Sequence, residues 1–302
     1  LGGLGPAYWL AYGIVGANAL LYYALLRRLA GPAFALVGGL AYALFSADTT
    51  QSFLYHAFGL QPSLTFLILA AIAYLSRQRI LAHVLALGSL LTYETTYLVF
   101  LGIPLLEVHW DAAWRKRALW HSLLVLGLLA GVAGLRAWAG EDRVLDIAAQ
   151  DLLQVSVLHT LQGPPVALGS YLLRPIQVLQ AFEPPVAIAS LASLAIFAAV
   201  LSRTFSARAE QPESRAVLLR LLVAGILLTA LAYPLTFTIR AYAISGRDTR
   251  VHLAAVFGAA LTWSSLWGLA IARSNRLFVR QTAISLLAAL LALLVGFGIF
   301  NS

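Results

Sequence analysis

The chain alternates long apolar runs with short polar or basic breaks. Several runs approach the ~20 residues that an α-helix needs to cross a hydrocarbon core. Residues 7–26 form a first span that stops at Arg27-Arg28, 34–45 a second, and 63–75 a third that ends at Ser76-Arg77-Gln78-Arg79. Residues 80–106 are apolar on both sides of Thr92-Tyr93-Glu94-Thr95-Thr96, which predicts two short helices meeting at one membrane surface. A clear span over 118–139 is followed by a polar stretch, 140–165. Residues 166–182 are amphipathic and contain Arg174-Pro175, a pattern that predicts a helix lying along the interface rather than crossing it. Spans over 186–201, 218–236, 251–272 and 282–300 complete the set. The predicted fold class is all-α: one polytopic transmembrane domain over residues 1–302, with about nine membrane helices and one interfacial helix.

Composition points the same way. Of 302 residues, 61% are hydrophobic and only 11% charged, whereas a soluble domain carries about 25% charged residues to solvate its surface. A chain this poor in charge needs another solvent for its outer face, and a bilayer supplies it. The net charge of +8 lies between apolar spans, so it reflects topology and lipid headgroups rather than nucleic acid. No cysteine is present, which excludes disulfides and thiolate metal sites. No methionine is present either, even at position 1, and the expectation is that further sequence precedes Leu1.

Lysine and arginine accumulate in cytoplasmic loops. With Arg27-Arg28 inside and strict alternation from there, 14 of the 20 basic residues fall inside. The other six, Arg136, Arg143, Arg174, Arg240, Arg247 and Arg250, lie at the outer surface. This arrangement suits a bacterial-type plasma membrane. Eight of the 12 acids fall outside: Asp48, Glu94, Glu141, Asp142, Asp146, Asp151, Glu183 and Asp248. His56, His159 and His252 join them, so any chemistry is expected on that face.

Glu94, between two apolar half-helices, is one candidate, because an ionisable group at membrane depth is costly to keep there. Its alternative role is a solvated helix cap. Asp48 either caps a helix over residues 51–58 or faces a substrate groove together with His56. The segment from Arg240 to His252 holds Arg240, Arg247, Asp248, Arg250 and His252. Three guanidinium groups so close together suit a phosphate or pyrophosphate, and they equally suit anchoring to lipid headgroups. Arg174 is a weaker candidate of the same kind. His83, His109 and His121 have no partner at metal-ligand spacing. No Gly-rich phosphate loop, serine elbow or zinc motif is present. Gly38-Gly39 and the other glycines of the spans predict close helix packing.

Three stretches resemble the membrane domain of GT-C-type glycosyltransferases, the protein O-mannosyltransferase-like enzymes that use polyprenyl-phosphate sugars. The first runs from Ala17-Asn18-Ala19-Leu20 through Arg27-Arg28 into Ala41-Tyr42-Ala43-Leu44-Phe45-Ser46. The second is Leu91-Thr92-Tyr93-Glu94 with Pro104 in the segment that follows, and the third is Ala232-Tyr233-Pro234-Leu235 ahead of the Arg247–His252 segment. The resemblance implies a sugar transferred from a polyprenyl-phosphate donor on the outer face, and it admits a divalent metal. It also implies that the family's first span and acidic loop lie upstream of Leu1, and Ala47-Asp48-Thr49-Thr50 stands where the family often has His-Pro.

On this reading an acid acts as general base on the acceptor hydroxyl while arginines stabilise the departing lipid phosphate. Arg240, Arg247 and Arg250 take the phosphate role, with Arg174 as a further candidate and Asp48 and Glu94 in support. The expected partners are membrane lipids, a polyprenyl-phosphate-linked sugar and other membrane subunits. Two alternatives stand beside it: an inactive scaffold subunit of a larger membrane complex, and a transporter.

Overall fold

A computed structural model of the chain describes residues 4–51, 53–140, 149–181, 183–206, 214–236, 240–272 and 277–300. Every regular element among them is helical. In chain order they are α1 (Gly5–Leu26), α2 (Pro32–Ala43), a single wide π turn (His56–Leu60), α3 (Gln61–Leu75) and α4 (Arg79–Thr92). A 3₁₀ segment (Glu94–Leu106), α5 (Ala112–Trp138), α6 (Ala149–Ala181), α7 (Pro184–Ser206) and α8 (Arg215–Ala230) follow. A second 3₁₀ segment (Arg247–Ala255) runs into α9 (Val256–Ala272), and α10 (Leu277–Phe300) closes the chain.

Helix boundaries follow local chemistry. Pro32 opens α2, where a missing N–H costs nothing. The Asp111 carboxylate accepts the Trp114 amide at 2.6 Å at the start of α5, and Ser214 does the same for Val217 at the start of α8. Gly246 supplies the positive φ of 72° that turns the chain into the second 3₁₀ segment.

Six helical stretches among the described residues are long and apolar enough to span a bilayer: 5–26, 56–75, 112–138, 184–205, 247–271 and 278–300. That is fewer than the roughly nine expected from the sequence. Apolar character alone marks a run as membrane-compatible, but α2, α4 and the first 3₁₀ segment are too short to cross. The 12 residues of α2 rise only about 18 Å against a core of about 30 Å. The segment expected to be an interfacial helix is part of a longer one. Residues 166–181 are the second half of α6, a 33-residue helix that also contains residues 149–165 of the stretch expected to be merely polar. Its stripe Ala167, Tyr171, Arg174 and Val178 is buried in the bundle, which explains the amphipathic pattern. The Tyr171 hydroxyl donates to the Ala41 carbonyl at 2.6 Å and Ser46 Oγ lies 3.3 Å from Ser170 Oγ, so α6 is fixed to α2 and the loop after it.

The core is continuous from α1 through α4 to α8 and α9. Close backbone approach sets the α8–α9 crossing. A Cβ on Gly258 would lie 2.6 Å from the Gly225 carbonyl oxygen, and one on Gly225 would lie 2.7 Å from the Thr262 amide. Thr229 and Thr262 stand one turn beyond these glycines, each hydrogen-bonding its own helix at 2.8 and 2.9 Å. That is the small-residue interface expected between helices in lipid. Gly38 likewise lies against Leu26 and Ser264, as the sequence predicts.

Candidate functional site

The short α2 ends at Ala43, and Phe45, Ser46, Ala47, Asp48 and Thr50 in the loop that follows are buried. Asp48 organises this loop. Its Oδ1 accepts the Thr50 amide at 2.9 Å and the Thr50 hydroxyl at 2.6 Å, a local turn rather than a helix cap. Its Oδ2 faces His56 Nε2 at 2.6 Å, with both side chains fully buried. The π turn at 56–60 presents the imidazole to the loop, and such wide turns often occur at functional sites. Burial alone would raise the Asp48 carboxyl. The charge and hydrogen bond of His56, together with both Thr50 bonds, outweigh burial and hold it below its ordinary value of 3.8. Among the described residues His56 Nδ1 has no hydrogen-bond partner.

Arg174 stands across from this loop on α6 and is only 5% exposed. Its Nε donates to the Ser46 carbonyl at 3.2 Å, one Nη to Gln177 Oε1 at 2.8 Å, and the other Nη to the Ile244 carbonyl. The guanidinium also lies 4.8 Å from the centroid of the Phe297 ring. Among the described residues no carboxylate comes within ion-pair distance of it. A guanidinium has five N–H donors, so among the described residues three bonds leave two uncommitted.

Two grooves meet here. One, of 440 Å³, is lined by Thr49, Arg174, Gln177, Gln180, Gly246 and Phe300 among others. The second, of 370 Å³, is mostly apolar and runs between α1 and the end of α10, with Tyr12, Val15, Leu294 and Phe297 in its walls and Asp48 at its head. Thr49 and Phe297 border both. The Thr49 amide donates to Thr249 Oγ1 at 3.0 Å, which holds the loop against the second 3₁₀ segment.

The structure therefore brings Asp48, His56 and Arg174 to one region and places the remaining candidates elsewhere. Arg240 and Arg247 are exposed and Arg250 half-buried, and none of the three lines either groove. Arg240 donates instead to the Tyr242 hydroxyl at 2.6 Å. Asp248 is exposed. His252 is pinned from both sides: its Nε2–H donates to the Ala243 carbonyl and its Nδ1 accepts from the Tyr233 hydroxyl, each at 2.8 Å, which gives it a structural task. Glu94 sits at the bundle surface, 3.6 Å from Arg136 at the end of α5. Glu141, Asp142, Arg143 and Asp146 lie outside the described residues. Among the described residues no group of three or more His, Cys, Asp or Glu is placed to hold a metal.

The sequence reading missed Gln177 and Gln180, which follow Arg174 along α6 at helical spacing and share its groove. Their i, i+3, i+6 pattern was the available signal. No family model, curated protein or solved structure matches the chain.

Proposed function

We propose that the chain is the membrane part of a glycosyltransferase that takes a sugar from a polyprenyl-phosphate donor at the end of the bundle opposite Arg27-Arg28. The observation that carries this reading is Arg174: a buried cation with no acid beside it among the described residues and two N–H groups left to offer. A desolvated charge in that state is stabilised by an anion. The adjoining grooves, one polar and one apolar, suit an amphiphile with a phosphate head and an isoprenoid tail. In this reading Gln177 and Gln180 meet the head group and Asp48 supports the loop that frames it. The membrane is of the bacterial plasma-membrane type, with Arg27-Arg28 cytoplasmic.

One observation favours the scaffold alternative. Both oxygens of Asp48 are committed, to Thr50 and to His56, so this acid is poorly placed to take a proton from an acceptor. The deciding experiment measures binding of a short-chain polyprenyl phosphate to the protein in nanodiscs, then sugar release from the loaded donor. The transferase reading expects saturable binding that falls at least tenfold in Arg174→Gln, and turnover on adding an acceptor. Equal binding in Arg174→Gln would overturn the site assignment. Binding without turnover would favour the scaffold.

A further inference from the structure

The two grooves beside Asp48 offer a ligand different surroundings, and Phe297, near the end of α10, borders both. Phe297 is 6% exposed, and its ring centroid lies 4.8 Å from the Arg174 guanidinium. The apolar groove passes between Tyr12 and Val15 of α1 and Leu294 and Gly298 of α10, with Ala43 and Leu44 at the end of α2. Along α10 its wall runs from Leu294 to Ile299, about 7.5 Å of helix rise. Apart from the Tyr12 hydroxyl, its polar groups come from the loop after α2: Ser46, Asp48, Thr49 and Gln51.

Two glycines of α10 differ in what they do. A Cβ on Gly296 would collide with Ser190 Oγ, so that glycine lets α10 pack against α7. A Cβ on Gly298 meets no atom within 4 Å among the described residues, and this position borders the groove. Packing against those residues does not account for Gly298, whereas a chain lying in the groove does. Volume sets how long that chain can be. An apolar cavity of about 150 Å³ holds one six-carbon benzene ring. At that density the 370 Å³ groove takes about 15 carbons, or three isoprene units.

We propose that this groove binds the first three isoprene units of the lipid donor and that Gly298 leaves the room for them. The inference rests on the transferase reading, with the phosphate at Arg174. The chain leaves the phosphate past Thr49 and Phe297, which border both grooves, and lies between α1 and α10. Units beyond the third extend into the bilayer. Lipid is as apolar as the groove, so escape from water does not hold the tail there. Contact with the walls does, and a side chain placed in the groove therefore competes directly with the tail.

The test measures binding of prenyl monophosphates with one, three and eleven isoprene units to wild type and Gly298→Leu in nanodiscs. Each probe is read as the ratio of variant to wild-type affinity, so its partition into the bilayer cancels. Leucine favours a helix over glycine and its Cβ has open space, so the variant should fold. Its four side-chain carbons take up nearly one isoprene unit of room. The three-unit and eleven-unit probes should weaken by at least about fivefold, both to the same extent, and the one-unit probe by less than about twofold. No loss for the longer probes would place the tail elsewhere. Equal loss for all three would mean that leucine disturbs the head group, and loss for the eleven-unit probe alone would mean a longer reach. Each of these results overturns the proposal. Arg174→Gln separates the two readings. It should weaken all three probes, and if it weakens none, the transferase site and the tail groove fall together. If it weakens all three while Gly298→Leu weakens none, only the tail placement falls.

Discussion

Removing the imidazole from the Asp48–His56 pair should be far more damaging than removing the charge it faces. In His56→Phe the ring volume is kept and the partner of Asp48 Oδ2 is lost, while Oδ1 retains both Thr50 bonds. Breaking a buried pair from one side typically costs about 3–5 kcal/mol. A ceiling applies, because the stranded carboxylate can escape by taking a proton. From an ordinary value near 3.9, that costs about 1.36 kcal/mol per pH unit, or roughly 4 kcal/mol at pH 7. The expected loss is therefore about 3–4 kcal/mol, equivalent to a melting shift on the order of 10 °C. Asp48→Asn keeps an acceptor for Thr50 and removes the charge, so its loss should be nearer 1–2 kcal/mol.

The assay is thermal and detergent-titrated unfolding of wild type, both single variants and the double variant at pH 7. Adding Asp48→Asn to His56→Phe should restore at least about 1 kcal/mol, because the double variant has no charge to strand. The His56→Phe deficit should also shrink as pH falls from 7 towards 5, where protonating Asp48 becomes easier. If His56→Phe lies within about 1 kcal/mol of wild type, or if the two losses simply add, the pair is not a coupled, buried unit.

Other consequences can be checked the same way. The Asp48 carboxyl is held below its ordinary value in the folded state, so its stabilisation is complete above that value and disappears as pH falls through the lower, folded one. Wild type should thus lose stability below about pH 4 more steeply than Asp48→Asn, as read from melting curves across acidic buffers. Alanine normally favours a helix over glycine by about 1 kcal/mol, but Gly258→Ala should destabilise by about 1–3 kcal/mol because its Cβ meets α8 backbone. Gly131→Ala, where a Cβ meets nothing within 4 Å, is the control and should be neutral or stabilising. The double variant Arg247→Ala/Arg250→Ala should bind polyprenyl phosphate within a few-fold of wild type, while Arg174→Gln loses at least tenfold. The reverse order would return the phosphate to the loop, where the sequence pattern puts it.

The helical, membrane-type fold was legible because it depends on composition and run length, which a single sequence carries in full. The number of helices long enough to span was less legible, because a run of 12 apolar residues such as α2 looks like a span until its bounds are known. Arg174 ranked low for a related reason. An amphipathic stripe is the same whether it faces a lipid interface or a bundle, and only the contacts of Tyr171 with Ala41 and of Arg174 with Ser46 distinguish the two. Asp48 and His56 were both visible as candidates, but their pairing depends on a loop and a wide turn, with no helical period to announce it. The partner of Glu94 is 42 residues away on α5, beyond any local pattern.

The difference between the two ends of the bundle bears on function. At one end Asp48 and His56 are buried, and the two grooves meet beside them, one with Asp48 and the other with Arg174 in its lining. At the other, Glu107 binds both Arg79 and Arg117, and the Glu107 carboxyl is held below its ordinary range because these two cations outweigh the effect of burial. Aromatic rings and histidines fill the space next to them. A transporter must open to each side in turn around a central site, and this plug would have to part on every cycle. A transferase working from one face needs no such opening. Cross-linking α3 to α5 across the plug should therefore leave donor binding unchanged if the chain is a one-sided transferase, and should arrest substrate exchange if it is a transporter.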